Sequence, residues 1–217
     1  MTSNRQPQPR RTQVERRTEA EKALLEAAVR LFASKGIDQT SLAEIGEEAG
    51  YGRGLVNYHF GSKAVLVERL AELTQRAFVE DLVDHGAGHE LETLLAIANS
   101  YLTPIRPDSA EARAFFTMWG AALPRDAALR PLFAVADARF RADVTTLVRA
   151  GQDARTIAAE VDPVGFAVTF VGLLRGIAAE FLVDPDGVDL DAARAACERV
   201  VRAALAPARS SSRRRSR

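Results

Sequence analysis

Residues 40–63, "TSLAEIGEEAGYGRGLVNYHFGSK", leave the chain few structural options. Ser41 and Glu44 stand three apart at the head of an apolar run. That is the spacing of a capping box, in which each side chain satisfies the other's free backbone N–H. Leu42, Ile45 and Ala49 then line one side of a helix of about two turns. Gly50 closes it. A second short helix can run from about Gly52 to His59 before "GSK" breaks the chain again. Two short helices joined by a glycine-bearing turn form a helix-turn-helix.

The rest of the chain reads as helix as well. Strand-like alternation is absent, so the expected fold class is all-α. Ahead of the short pair, from about residue 17 to 34, Leu24, Ala27, Ala28, Leu31 and Phe32 form one stripe, and "SKG" ends it with Gly36 as a left-handed cap. After the pair, Ser62 caps a long helix to about residue 84, striped by Val65, Leu66, Leu70, Leu73 and Phe78. Beyond "HGAGHE" the punctuation predicts helices near 89–103, 108–123, 126–151, 162–183 and 189–206. Asp108 or Ser109, Asp126, Asp162 and Asp189 serve as caps, and Pro163 takes the first helical position, where a missing N–H costs nothing. Residues 1–12 and 208–217 are polar and low in complexity and are expected to be disordered.

Bulk properties narrow the setting. No run of about 18 apolar residues occurs, so no membrane span is expected. The N-terminus has no apolar signal segment, and the single cysteine, Cys197, suits a reducing compartment, so the expected location is the cytoplasm. Net charge is zero, but it is unevenly spread: residues 1–80 hold 12 Lys/Arg against 11 Asp/Glu, residues 81–208 hold 12 against 18, and residues 209–217 hold 5 against none. The asymmetry turns the N-terminal part toward a polyanion.

The short pair has the chemistry for that role. In a helix-turn-helix the first helix crosses the phosphate backbone and the second enters the major groove with its N-terminal residues on base edges. Gly52 and Gly54 keep the front of the second helix slim. Arg53 has the fork that matches guanine, Leu55 can touch a thymine methyl, and Asn57 can pair with adenine or a phosphate. Tyr58, His59 and Lys63 are expected to donate to phosphates, which sets register rather than sequence. Thr40 and Ser41 add hydroxyls and free N–H groups at a helix N-terminus. Val56 and Phe60 should face inward. A bland alternative is that the pair merely solubilises a bundle.

"GIDQTSLAEIGEEAGYGRGLVNYHFGSKAVLVERL" resembles the DNA-binding region of TetR-type transcriptional regulators. The matching features are Thr40, Ile45, Ala49-Gly50, Gly54, Tyr58-His59-Phe60, Ser62-Lys63 and Leu66, and they cover about residues 17–70. Gly46 stands where the family usually has alanine. Tyr51-Gly52 replaces the usual Val-Ser, which removes a side-chain cap at a cost of ~1 kcal/mol. The resemblance implies a three-helix helix-turn-helix domain over 13–61 and a helical ligand-binding and dimerisation domain over 62–207. It also implies a dimer that binds a double-stranded operator, answers to a small-molecule effector, uses no cofactor or metal and is not an enzyme.

The residues of the body can support this. Along 162–183, Gly165, Thr169, Gly172, Gly176 and Ala179 form a stripe of small residues beside a stripe of large ones, Phe166, Phe170, Leu173, Ile177 and Phe181. The small stripe, with Ala193 and Val200 of the last helix, is the expected dimer face; a central helix buried within a monomer is the alternative. An effector pocket needs apolar walls. Phe78, Leu82, Phe115, Phe116, Met118, Trp119, Phe133, Phe140, Phe166 and Phe170 are the candidates, with Trp119 foremost, although the same aromatics could simply fill a core. The C-terminal pattern is similar to the betaine-aldehyde/choline branch of the family, which implies a caged quaternary ammonium.

Other signals are weaker. His85 and His89 flank flexible glycines that pre-organise no metal site. Arg5, Arg10, Arg11, Arg16 and Arg17 and the Arg-rich tail either add phosphate contacts or are simply solvated. The expected function is a ligand-responsive dimeric regulator, a repressor released by a largely hydrophobic effector. Two rivals stay open: a regulator controlled by a protein partner, and an all-helical enzyme or carrier with a structural head.

Overall fold

The computed structural model describes residues 12–79, 89–125 and 127–207, with the side chains of 74–79 left undescribed. Leu82, His85, Asp126 and the two terminal segments therefore lie outside the described residues. Within them the chain is helical throughout: α1 (Gln13–Lys35), α2 (Leu42–Glu48), α3 (Arg53–Phe60), α4 (Lys63–Val79), α5 (Glu90–Leu102), α6 (Ala110–Ala121), α7 (Arg130–Asp153), α8 (Pro163–Val183) and α9 (Leu190–Leu205). The contacts divide the chain into two units that meet at Leu70 and Ala71.

In the first unit α1 packs on α2 and α2 on α3. Leu24, Phe32, Ile45, Val56 and Leu66 lose all contact with solvent. α1 begins at Gln13, earlier than the stripe of apolar residues indicates. The signal is a second capping box: Glu15 N–H donates to Thr12 Oγ1 at 3.2 Å and Thr12 N–H to Glu15 Oε2 at 2.7 Å. Arg16 and Arg17 consequently ride on a helix rather than on a free arm.

In the second unit α5 packs on α7, α8 and α9, and α8 packs on α7 and α9. One apolar core joins Leu94, Leu102, Val144, Val148, Phe170, Leu174 and Leu205. Asp162 caps α8 by accepting from Val164 and Gly165 N–H, and Asp189 caps α9 by accepting from Ala192 N–H at 2.9 Å. Two boundaries shift for local reasons. α6 starts at Ala110 without a side-chain cap because Ser109 Oγ already accepts from Arg106 N–H and donates to Pro104 O. α7 starts only at Arg130, because carbonyls of Pro124 and Ala127 take the N–H groups of Ala127 and Arg130 in successive turns.

α8 is apolar enough to cross a bilayer by length and composition alone, which is weak evidence of a span because the core helix of a soluble protein passes the same test; 39% of its most apolar window is buried. Its inner face, with Phe170, Leu174, Ala178 and Phe181, is core, while Val164 and Val168 are more than half exposed. Leu174→Ala should therefore cost about 2–5 kcal/mol in urea unfolding, while Val135→Ala, at an exposed site of α7, should stay within about 0.5 kcal/mol.

Candidate nucleic-acid interface and effector cavity

The front of the first unit is built on the turn between α2 and α3. Gly50 adopts φ 77°, a conformation that glycine takes without strain. Tyr51 N–H then donates to Gly46 O at 2.7 Å. An added Cβ at Gly46 would lie 2.9 Å from Tyr51 O and 3.1 Å from Val56 Cγ2. The turn thus presses directly on α2, and a side chain at 46, where the family usually has alanine, would require the Tyr51 carbonyl to shift. Gly52 caps α3 with no side-chain hydrogen bond. Since glycine is itself a tolerated N-cap, losing the serine costs only a few tenths of a kcal/mol, less than the sequence argument gives.

On α3, Val56 and Phe60 are buried, while Arg53, Gly54, Asn57 and Tyr58 are exposed and Leu55 and His59 are half-buried. Tyr58 is 68% exposed, with its ring edge-on to His59 and the Arg17 guanidinium 5.7 Å from its centroid. The sequence left Arg17 either on phosphate or simply solvated, and its place near the start of α1 sets it against Tyr58. A groove of about 630 Å³ lies between these helices, bordered by Gln13, Arg16, Arg17, Tyr51, Leu55 and Tyr58.

Thr40 departs from its expected place. It is buried, and its hydroxyl donates to Gly36 O at 2.8 Å, so it locks the loop between α1 and α2 instead of offering a free hydroxyl. Ser41 is exposed. Its Oγ accepts from Glu44 N–H at 3.2 Å, and its own hydroxyl proton stays available. Lys63 is half-buried, with Nζ 3.4 Å from Asp38 O, and keeps further N–H donors.

In the second unit the candidate pocket residues part company. Phe115, Met118, Phe133, Phe140 and Phe170 are all buried, and the first and third meet edge-to-face at 5.9 Å. Phe166 stacks on Phe170 at 5.8 Å and packs against the core. The side chain of Phe78 and the whole of Leu82 are outside the described residues. Phe116 and Trp119 border a groove of about 460 Å³, with Asp137 and Arg141 of α7 and Val168, Val171, Gly172, Arg175, Gly176 and Ala179 of α8.

The charged residues here were not anticipated. Arg175 forms a two-pronged pair with Asp137, with Nη1 at 2.7 Å from Oδ2 and Nη2 on Oδ1. Trp119 Nε1–H reaches the same carboxylate at 3.5 Å, and the Arg175 guanidinium lies 5.3 Å from the Trp119 ring centroid. Burial opposes the charge on Arg175, but Asp137 outweighs it and raises the guanidinium pKa. Nearby, burial pushes the Tyr101 phenol up to about 12, against the influence of Arg175. Cys197 is buried, and burial raises its thiol pKa.

The proposed dimer residues sit mostly at the surface: Gly165, Thr169, Gly172, Gly176 and Val200 are exposed, and Ala179 and Ala193 are half-buried. Gly165 has a local reason to be small, because a Cβ there would lie 2.6 Å from the Asp162 cap oxygen.

A slim polar helix held in front of a glycine turn, joined in one chain to an all-helical body, defines a helix-turn-helix regulator. The comparisons with known proteins agree. Residues 24–70 match the bacterial regulatory proteins of the tetR family, and residues 90–206 match the C-terminal region of BetI-type transcriptional repressors. The chain belongs to the TetR family of bacterial transcriptional regulators, a family of DNA-binding proteins and not of enzymes. It is 43% identical over 63 residues to the HTH-type transcriptional regulator TtgR of Pseudomonas putida, a match spanning 29% of this chain and 30% of that protein. Similar folds include a transcriptional regulator from Saccharomonospora viridis solved with choline (TM-score 0.74, 20% identity, 87% of this chain and 98% of that one). Another is NalD of Pseudomonas aeruginosa, the secondary repressor of the MexAB-OprM multidrug efflux pump (TM-score 0.71, 22% identity, 88% and 98%).

One electrostatic consequence of the head is measurable. Lys35 beside Glu44, helped by the Ser41 N–H, holds the Glu44 carboxyl at about 2, below its ordinary 4.5. A depressed carboxylate pKa stabilises the fold above about pH 4.5, and that contribution is lost as pH falls toward 2. In a carboxyl NMR titration Glu44 should have its midpoint near 2, and Lys35→Ala should move it up toward 4.5.

Proposed function

We propose that this protein is a cytoplasmic, dimeric repressor that grips a pseudo-palindromic DNA operator through α3 and lets go when a small molecule enters its helical body. The observation that carries the DNA reading is the exposed row Arg53, Asn57 and Tyr58 above the buried Val56 and Phe60. Arg53 and Asn57 read base edges, and Tyr58, His59, Lys63 and Ser41 donate to phosphates. Thr40 supports the loop that positions Ser41. Arg16 and Arg17, at the start of α1, add cationic contacts beside Tyr58.

One short helix is too small to specify a site, and a second copy supplies another at a spacing of about 34 Å. Val164, Val168, Gly172 and Gly176 of α8 and Val200 of α9 leave an apolar, small-residue face in water in the isolated chain, and packing against its symmetry mate would cover it. Gly172 and Gly176 let the two α8 helices approach closely.

The match to the C-terminal region of BetI-type repressors and the choline bound by a protein of similar fold favour an effector over control by a protein partner. The choline bound by the Saccharomonospora protein and the repressor title of NalD belong to those proteins; they support ligand response and repression here as a reading of shared fold. The effector shifts a population, binding better to a dimer whose heads are mis-spaced for the operator, and it can shift it only by its differential affinity for the two states. α4 leads from the head toward the body in sequence and is the natural lever.

Binding titrations on a duplex selected from genomic fragments test the DNA reading. Arg53→Ala should cost about 1–3 kcal/mol and relax specificity, while Lys63→Ala should weaken all sequences alike and lower the salt slope by about one. Equal loss on every sequence for both variants would contradict the assignment of α3 as the reading helix.

A further inference from the structure

The groove between α1 and α3 divides the polar donors of the head into two groups. Leu55, Tyr58 and His59 of α3 border it opposite the start of α1, whereas Arg53 and Asn57 stand outside it. Ser41 and Lys63 belong to a different place. Ser41 caps α2 together with Glu44, and Glu44 pairs with Lys35 at the far end of α1. Lys63 is tied to the same end, with Nζ 3.4 Å from Asp38 O. Arg17 and Lys35 lie near the two ends of α1, about 27 Å apart along a helix rising 1.5 Å per residue. The donors gathered at these two ends therefore cannot share one phosphate.

The charge at the start of α1 is available. Arg17 is exposed, and its guanidinium lies 5.7 Å from the Tyr58 ring centroid. Glu15 and Glu21, its neighbours in sequence, are engaged elsewhere: Glu15 accepts from Thr12 N–H, and Glu21 lies 3.7 Å from Arg69. The groove's border carries two guanidinium groups, Arg16 and Arg17, against one carboxylate, Glu19. A guanidinium drawn to an aromatic face keeps N–H groups for a phosphate. Beside these cations Val14 is 74% exposed, and with Leu55 it offers an apolar surface that suits the carbon face of a deoxyribose. A helix lying in a major groove about 12 Å wide has one strand on either side. The Leu55 and His59 side of α3 faces α1. The Arg53 side faces α2, since Arg53 N lies 3.3 Å from a Cβ added at Gly46.

We propose that the groove between α1 and α3 seats the sugar–phosphate backbone of one DNA strand, with Arg17 as its phosphate-binding residue and the Tyr58 ring as the group that positions it, while Ser41 and Lys63 hold the other strand. The assignment rests on the reading of α3 as the helix in the major groove and adds which strand each end of α1 grips.

Ethylation interference on both strands of the selected duplex, together with salt titrations of the full-length protein, tests the assignment. Arg17→Gln should remove interference at phosphates of one strand in each half-site, and Lys63→Gln at phosphates of the other. Arg17→Gln should also lower the slope of log K against log salt by about 0.9 for each half-site, the value for one phosphate contact. Tyr58→Phe loses the hydroxyl but keeps the ring, so interference at the Arg17 phosphate should persist. Tyr58→Leu removes the ring and should abolish it, and the double variant with Arg17→Gln should bind no more weakly than Tyr58→Leu alone. All variants should keep the wild-type far-ultraviolet helical signal. Unchanged interference in Arg17→Gln, loss on the same strand as Lys63→Gln, or additive losses in the double variant overturns the inference. Two further outcomes separate the claims. Absence of salt-sensitive duplex binding by the wild type contradicts the reading of α3 and this assignment with it. Base-specific binding through Arg53 that is indifferent to Arg17 contradicts this assignment alone.

Discussion

The approach of the Tyr51 backbone to Gly46 is the constraint on which the reading head depends. With no Cβ at position 46, the turn after α2 presses onto the helix without displacing the Tyr51 carbonyl, and Tyr51 N–H closes a 2.7 Å hydrogen bond to Gly46 O. Val56 drops into the space beside the same glycine and is fully buried. Val56 and Phe60 anchor the inner side of α3, so Arg53, Asn57 and Tyr58 are left facing out. The α2 end is fixed by a different device, the reciprocal Ser41–Glu44 cap clamped by Lys35. An eight-residue helix has little stability of its own. Its exposed polar row is thus a product of tertiary contacts on its other side.

The body depends on a different interaction. An apolar helix, α8, carries Arg175 toward Asp137 on α7, and the pair is largely withdrawn from water, with side chains 14% and 16% exposed. Desolvation makes such a pair a poor source of stability, and its geometry is what it contributes. The fork fixes α8 against α7, orients Trp119 through the shared carboxylate, and shapes the groove wall.

How much of this could be read in advance varied with the kind of signal. Caps were legible, because Ser41, Asp162 and Asp189 are followed at fixed distance by the groups they satisfy. The Thr12–Glu15 box followed the same rule and was overlooked because the apolar stripe of α1 begins later. Arg53, Asn57 and Tyr58 were legible from helical spacing against Val56 and Phe60. Thr40 was not: a hydroxyl at a helix start reads equally well as a solvent contact or as a loop lock, and only the position of Gly36 O decides. The pocket walls are hard to read in a sequence for a related reason. Aromatic residues advertise apolar volume without saying whether it is filled, and the fit of Phe115 to Phe133 comes from tertiary packing. The Arg175–Asp137 pair spans 38 positions on two helices, and no local pattern predicts which of many arginines and aspartates will meet.

The central claim is that two copies of α3 read one face of a duplex, and hydroxyl-radical and methylation-protection footprinting of the selected DNA with the full-length protein tests it most directly. The account predicts two symmetry-related patches of guanine N7 protection in successive major grooves, about 34 Å apart, both lost when the head cannot present Arg53. A single patch, protection confined to the minor groove, or a uniform footprint without base-specific protection would contradict it.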